Sequence, residues 1–361
     1  MKSATPQTPP PPPPPLVTPE VHADHRVTFR FRAPGAQAVQ LALEGARPLA
    51  MRKDESGVWS VTTPPLDPDY YGYSIVVDGQ RNLDPYHALL KPNLLAPENM
   101  VHVGGPSSLP WELNDVPHGV VHHHEYRSAV AGDDRDYYVY TPPNYDPRAR
   151  TTYPVLYLLH GYSDDASGWS AVGRANVILD NLIARGQVKP MIVVMPLGYG
   201  TLRMITGGWG VWKRQDIRDE NFSKFSRALL DEVMPQVEGA YRVATDRDAR
   251  AIAGLSMGGA EALLTGLNHP DRFAWIGAFS AGGLPEPFAR DFPRLDAGSS
   301  APLHLLWIAC GTEDGLIDVN RAFRHWLQSR GIRHTGIETP GMHTWMVWRR
   351  NLAAFLPLLF R

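Results

Sequence analysis

One serine in this chain lies in a sequence that would hold it at a sharp turn. The stretch Gly254-Leu255-Ser256-Met257-Gly258 follows an apolar run and precedes helix-forming residues. A strand, a tight turn and a helix in this order present a serine hydroxyl at an exposed corner. The glycines suit places where a Cβ atom would clash, and a helix starting after Ser256 would direct free N–H groups at it. The stretch therefore predicts a nucleophile, although Gly-x-Ser-x-Gly without this context is only an ordinary glycine-rich loop.

A serine hydroxyl needs a base to remove its proton, and the base needs an acidic partner to orient it. Downstream of the serine, an apolar run ends in Glu313 and Asp314, which places carboxylates just past the end of a strand. His343 follows in a loop after the last predicted strand. We predict that Asp314 is the acid and His343 the base, with Glu313 as the adjacent rival. Asp318 and His269 are poorer candidates, because each is predicted to belong to a helix.

Acyl transfer also requires donors for the oxyanion of the tetrahedral intermediate, and these are commonly backbone N–H groups. The residue after the nucleophile, Met257, would supply one of them. A buried strand that runs into His160-Gly161-Tyr162 suits the second, with the N–H of Tyr162 as donor. His160 is then structural.

Other features of the sequence point less clearly to a function. Residues 122–124 are three consecutive histidines in a strand-like segment. Alternate strand residues face opposite ways, so the three cannot converge on one ion, and we predict no metal site. Trp169, Trp209, Trp212 and Trp345 fall in predicted loops around the serine. Trp169, Trp209 and Trp345 are candidate substrate contacts that would stack on sugar or phenolic rings, while core or rim packing explains them equally well.

Composition excludes several classes of function. The 361 residues include 35 basic and 37 acidic side chains, so the chain has no basic footprint for nucleic acid or an anionic membrane. No apolar run approaches the roughly 20 residues of a membrane span. The single cysteine excludes an intramolecular disulfide.

Residues 1–20 form a low-complexity tail with seven consecutive prolines from Pro9 to Pro15. Such a run adopts a solvated polyproline II helix and acts as a spacer, or as a ligand for a partner domain. A linker at this end of the chain would make sense if an export signal or lipid anchor had preceded it. No signal peptide follows Met1 in this sequence. We predict a secreted or periplasmic protein, and this prediction requires an export signal upstream of Met1.

The pattern of the chain predicts two domains. Between residues 21 and 104, short runs alternate apolar and polar residues and are separated by turn signals such as Asp78-Gly79. This pattern is typical of a small antiparallel β-sandwich. A breaker-rich linker, 105–110, precedes a second domain at 111–361.

In the second domain, continuous apolar runs such as 153–159 and 191–195 alternate with helical patterns, the last near 352–359. This rhythm predicts an α/β fold with a mostly parallel sheet. Active sites in such folds lie at the carboxyl ends of the strands.

Residues 111–361 resemble carbohydrate esterase family 1, the feruloyl and acetyl-xylan esterases, within a wider esterase D-like group of α/β-hydrolases. The matching segments occur in family order across the whole domain: 153–161, 254–259, 268–273, 311–314 and 340–345. The first domain is similar to the early-set β-sandwich called a family-48 carbohydrate-binding module, through its strand pattern and residues 71–73 and 83–86.

This resemblance implies a Ser256, Asp314 and His343 triad, an oxyanion hole formed by the N–H groups of Met257 and Tyr162, and no cofactor. It also implies a polysaccharide-linked ester as substrate, and we expect a feruloyl or related hydroxycinnamoyl ester of arabinoxylan. Acetyl-xylan, siderophore and generic aryl esters remain alternatives. So does a different class of protein, a carbohydrate-binding protein whose hydrolase domain is inert.

Overall fold

The computed structural model describes residues 15–284, 286–293, 295 and 303–361. In its first domain, runs of alternating apolar and polar residues form short strands. The proline run up to position 14 lies outside the described residues. Ten short strands follow: β1 Glu20–Val21, β2 Val27–Arg32, β3 Val39–Leu43, β4 Leu49–Ala50, β5 Arg52–Lys53, β6 Val58–Thr62, β7 Asp69–Val77, β8 Gln80–Asn82, β9 Leu90–Lys91 and β10 Glu98–Val103. They form two antiparallel sheets, one ordered β1-β2-β6-β5 and the other β4-β3-β7-β10-β9, with β8 beside β7.

The two sheets bury a common core that contains Phe29, Leu41, Tyr73 and Ile75. The predicted hairpin is confirmed: Val77 pairs with Gln80 across Asp78 and Gly79, which have positive φ angles of 46° and 88°. A two-residue turn of this kind matches the twist of its strands. The first domain is therefore the predicted β-sandwich.

The second domain contains one eight-stranded sheet ordered β11-β12-β14-β13-β15-β16-β17-β18. Its strands are β11 Val120–Arg127, β12 Asp134–Thr141, β13 Val155–Leu159, β14 Ile192–Pro196, β15 Arg250–Leu255, β16 Trp275–Phe279, β17 Leu305–Gly311 and β18 Thr335–Thr339. The first two strands are antiparallel to their neighbours, and the other six run parallel. This confirms the predicted α/β fold, and the predicted linker 105–110 lies between the sandwich strands and this sheet.

Helices cover both faces of the large sheet. They are α1 Gly168–Ala171, α2 Ala175–Ala184, α3 Arg203–Thr206, α4 Gln215–Ala228, α5 Met234–Ala240, α6 Met257–Asn268, α7 Ile317–Ser329 and α8 Trp345–Phe355, with a π-helical turn at Leu229–Val233 between α4 and α5. Alternate strand residues point to opposite faces, so α2 and α8 pack on one side and α4 to α7 on the other. Within the described ranges, every helix is too short or too polar to span a lipid bilayer.

The last helix, α8, begins seven residues earlier than the pattern predicted, and it lies between the two domains. Met346 on α8 joins the core of the sandwich, while Tyr70 and Met100 of the sandwich join the core beneath α8. At the centre, the fully buried Arg349 guanidinium donates to Asp69 Oδ1 from Nε at 2.8 Å. It also donates to the carbonyl oxygens of Tyr70 and Val172 at 2.5 and 2.8 Å. The two domains are thus joined by an ion pair whose members have no access to water.

We expect Arg349→Met to lower the free energy of unfolding by about 3–5 kcal/mol, because it leaves the Asp69 carboxylate buried without its main partner. Arg350→Met is the matched control, since Arg350 reaches the same carboxylate at 3.4 Å but is 43% exposed. Its loss should cost less than about 1 kcal/mol. Urea unfolding of the two variants measures the difference, and equal losses would contradict the central role of the buried pair.

Candidate active site

Ser256 lies in the turn between β15 and α6, in a backbone conformation that residues other than glycine rarely adopt. Its φ and ψ angles are 51° and −118°. The turn requires close backbone approaches: a Cβ atom on Gly258 would lie 2.3 Å from the His160 carbonyl oxygen, and one on Gly254 would lie 2.3 Å from the Gly258 carbonyl oxygen. The steric reason predicted for both glycines is therefore confirmed, and the strained turn projects the Ser256 side chain out of the sheet.

His343 lies between Ser256 and Asp314. Its Nδ1 is 2.8 Å from Asp314 Oδ2, and its Nε2 is 2.9 Å from Ser256 Oγ. A carboxylate only accepts hydrogen bonds, so Nδ1 carries the proton and donates a hydrogen bond to Asp314. Nε2 is then the acceptor for the serine hydroxyl, which is the arrangement required of a general base.

The Asp314 carboxylate is completely buried, at the end of β17. Burial alone would raise its pKa, but hydrogen bonds from His343 and from the backbone N–H of Leu316 hold the pKa below its usual value. Asp314 therefore stays ionised and can stabilise a positively charged imidazole. The rivals Glu313 and Asp318 are both exposed, so neither occupies this buried position.

The peptide between Gly161 and Tyr162 is oriented by His160. His160 Nε2 accepts from the N–H of Gly198 at 2.8 Å, so its proton is on Nδ1, which donates to the Gly161 carbonyl oxygen at 2.8 Å. In a trans peptide the N–H points opposite to the C=O. The N–H of Tyr162 thus points away from His160, whose two ring nitrogens are both occupied by backbone partners.

Met257 is the first residue of α6, so its N–H has no acceptor within the helix. Both Tyr162 and Ser256 line a cavity of about 790 Å³ that also reaches Asp314 and His343. Of the two candidate oxyanion donors, Met257 directly follows the candidate nucleophile in the chain, and Tyr162 lines the same cavity as Ser256. A cavity of this volume suits a ligand much larger than an acetyl group.

The structure separates the three tryptophans that we selected as substrate contacts. Trp209 is 66% exposed and lines the cavity, with its ring 4.9 Å from that of Tyr162. Trp345 also lines the cavity, although it is only 2% exposed because it forms the first turn of α8. For Trp169 the prediction is wrong: it is 0% exposed, is not among the lining residues, and donates from Nε1 to the Leu159 carbonyl oxygen.

Some lining residues were not selected as substrate contacts. Trp212, which the sequence placed in a loop around the serine, lines the cavity. Trp348 was missed: it also lines the cavity, and it packs edge-on against the His343 ring at 4.8 Å. Its signal was the i, i+3 spacing of Trp345 and Trp348, which was hidden by the late predicted start of the last helix. The sandwich contributes Glu44, Lys91 and Asn93 to the cavity. No local pattern marks these three, because they reach the site only through the packing of one domain on the other.

The three consecutive histidines lie on β11 and have separate partners. His122 contacts Thr141, His123 contacts Asp136, and His124 contacts the Tyr241 hydroxyl. In the part of the chain that the structure describes, no group of three or more His, Cys, Asp or Glu side chains is arranged to hold a metal ion.

Asp164 is a buried carboxyl group in the cavity wall, and burial raises its pKa to about 7 although Lys91 and a hydrogen bond from Asn93 oppose the shift. Between the unfolded pKa of about 3.9 and this value, the folded protein holds a proton that the unfolded chain has lost. Stability should therefore fall as pH rises from 4 to 7, by at most about 1.4 kcal/mol per pH unit from this group. Asp164→Asn removes this titration. The unfolding free energy of the variant minus that of the parent protein should therefore increase as the pH rises from 4 to 7. A difference that is constant with pH would contradict this assignment.

Each of the two domains matches a known protein family. Residues 128–359 match the putative esterase family, and residues 17–87 match carbohydrate-binding module 48, the isoamylase N-terminal domain. The predicted resemblance of the two domains to known families is thereby confirmed.

Curated relatives include proteins that are named as esterases. An endo-1,4-beta-xylanase/feruloyl esterase of Xylanibacter ruminicola is 29% identical over 95% of this chain. The chain spans only 46% of that relative, which is about half its length. An acetyl esterase of Caldicellulosiruptor saccharolyticus is 25% identical over 55% of this chain and 80% of its own length.

Solved structures share the fold. A CE1 ferulic acid esterase from the anaerobic fungus Anaeromyces mucronatus aligns with a TM-score of 0.62 at 24% identity, covering 71% of this chain and 96% of its own. The enterobactin esterase of Shigella flexneri aligns with a TM-score of 0.68 at 18% identity, and the alignment covers 92% of each chain. Its alignment therefore extends over nearly all of this chain. The chain therefore belongs to the putative esterase family, and its enzyme class is carboxylic ester hydrolase.

Proposed function

We propose that this protein hydrolyses feruloyl, or related hydroxycinnamoyl, esters of plant cell-wall polysaccharide such as arabinoxylan, through an acyl-enzyme on Ser256. The observation that carries the proposal is the continuous hydrogen-bond chain from Ser256 through His343 to the buried Asp314, at 2.9 and 2.8 Å. The chain opens into a cavity with room for an aromatic acid. Because a polysaccharide of this kind lies outside the cell, the proposal includes export of the protein.

The first half of the reaction forms the acyl-enzyme. Ser256 Oγ attacks the ester carbonyl carbon as its proton passes to His343 Nε2. The carbonyl oxygen becomes an oxyanion, which accepts hydrogen bonds from the N–H groups of Met257 and Tyr162. The intermediate collapses, the bond to the sugar oxygen breaks, and that oxygen takes the proton from Nε2.

In the second half, water releases the acid. His343 Nε2 accepts a proton from water, and the resulting hydroxide attacks the carbonyl carbon of the acyl-enzyme. When the second intermediate collapses, Ser256 Oγ leaves and recovers the proton. In both halves the Asp314 carboxylate holds the His343 tautomer and stabilises the imidazolium.

The walls of the cavity support an aromatic acyl group. Tyr162, Trp209 and Trp212 form an aromatic cluster, with Tyr162 at 4.9 and 5.1 Å from the two indole rings and edge-on to both. A planar hydroxycinnamoyl group can stack or pack edge-on against such rings. The xylanase/feruloyl esterase relative supports the same acyl group.

Acetyl-ester hydrolysis is the second candidate, and the acetyl esterase relative favours it. The same triad would perform this reaction, so only the acyl group differs. The third possibility, an inert hydrolase domain in a carbohydrate-binding protein, is disfavoured by the paired geometry of Ser256, His343 and Asp314.

A hydrolysis panel tests the proposal. We expect kcat/KM for methyl ferulate to exceed that for methyl acetate and for acetylated xylan, because only the aromatic acid fills the cavity. Ser256→Ala is the control, and it should lower turnover of every ester by roughly 10⁴-fold or more. A clear preference for acetyl esters would contradict the proposed substrate, and turnover retained in the alanine variant would contradict the proposed nucleophile.

A further inference from the structure

The helix that follows His343 has its N-terminus capped by the other domain. Thr344 occupies the N-cap position of α8, but its hydroxyl makes no capping hydrogen bond. The first free N–H of the helix, that of Trp345, donates instead to Glu44 Oε1 at 2.9 Å. A carboxylate at this position satisfies an unpaired donor and faces the positive end of the helix dipole.

Glu44 is held firmly in place. Its side chain is only 10% exposed, and Oε2 accepts from the N–H of Gly72 at 2.9 Å and from Lys91 Nζ at 3.2 Å. Burial alone would raise the pKa of Glu44, but Lys91 and the Trp345 N–H hold it below its usual value. Both oxygens of an ionised Glu44 are therefore committed to fixed partners in the protein.

The first turn of α8 carries a side chain that contacts the candidate catalytic base. Trp348 packs edge-on against the His343 imidazole, with ring centres 4.8 Å apart. Its Nε1 donates to Ser280 Oγ at 3.2 Å, and the Ser280 side chain is one of the groups that lower the pKa of Asp314. A shift of this turn would therefore disturb His343 and the surroundings of its acidic partner together.

We propose that Glu44 is a positioning residue for His343: the sandwich domain supplies the carboxylate that fixes the start of α8 and, through Trp348, the imidazole. This inference rests on the proposed serine mechanism for its kinetic consequence. It assigns the sandwich a direct part in ester hydrolysis that does not depend on binding a glycan.

Three variants test the proposal: Glu44→Ala, Glu44→Gln and, as matched control, Glu98→Gln. Glu98 is also a glutamate of the sandwich and also bonds Lys91, at 3.1 Å, but its ion-pair partners are Lys91 and Arg81 rather than α8. Each variant is assayed with 4-nitrophenyl acetate, well below its unfolding temperature. We expect Glu44→Ala to lower kcat roughly tenfold with KM changed less than about twofold, because the base is displaced while the cavity remains.

The glutamine variant retains a carbonyl oxygen for the Trp345 N–H, so its kcat should lie between those of Glu44→Ala and the parent protein. The Glu98→Gln control should match the parent. An unchanged kcat in folded Glu44→Ala would overturn the proposal. So would a raised KM with unchanged kcat, which would make Glu44 a substrate contact, or an equal loss in Glu98→Gln, which would assign the effect to Lys91.

A second readout does not depend on turnover. The Nδ1 proton of His343, hydrogen-bonded to Asp314, should give a downfield proton NMR signal that is absent in His343→Ala. We expect this signal to shift or broaden in Glu44→Ala and to persist in Glu98→Gln, and an unchanged signal in Glu44→Ala would contradict the positioning role. If the parent protein hydrolysed no ester but the signal responded as expected, the proposed function would fail while the positioning role would stand.

Discussion

Burial of the Arg349 guanidinium is the constraint on which the arrangement of this molecule depends. A charged group without access to water needs an opposite charge and full hydrogen bonding, and Asp69 with two backbone carbonyl groups supplies both. These partners come from two domains, so the docked sandwich helps to hold α8 in its position. His343 lies two residues before this helix, and the geometry of the candidate base is therefore tied to the packing of both domains.

The positions of Ser256 and of the loop that contains Tyr162 depend instead on backbone geometry. The turn at Ser256 requires close contacts that only glycine permits at positions 254 and 258. His160 orients the neighbouring peptide by accepting from Gly198 and donating to Gly161. The sandwich reaches this loop too, because Asn93 donates to Ser163 and Asp164 and the N–H of Leu94 donates to the Ser163 carbonyl oxygen. The candidate nucleophile, the loop that carries the candidate oxyanion donor Tyr162 and the candidate base are thus each held by contacts within the protein, which is the condition for electrostatic preorganisation.

Much of this arrangement could be predicted from sequence, since local patterns determine it. Strand ends place Ser256, Asp314 and His343 at one edge of the sheet, and the order of the residues identifies the candidates. Trp169 was a candidate substrate contact because its predicted loop lies near the site, but a position in a loop says nothing about which way a ring points. The structure turns that ring into the core, where its N–H finds the Leu159 carbonyl oxygen. Glu44 could not be found at all, because its partner on α8 is separated from it by most of the chain.

The central claim is that Ser256 carries the acyl group, and trapping the intermediate tests it most directly. The protein is mixed with methyl ferulate, quenched in acid during turnover, digested and analysed by mass spectrometry. We expect a feruloyl group on the peptide that contains Ser256, and no such adduct in a Ser256→Ala variant treated in the same way. Release of ferulate with no acylated peptide, or with the acyl group on another residue, would contradict the account.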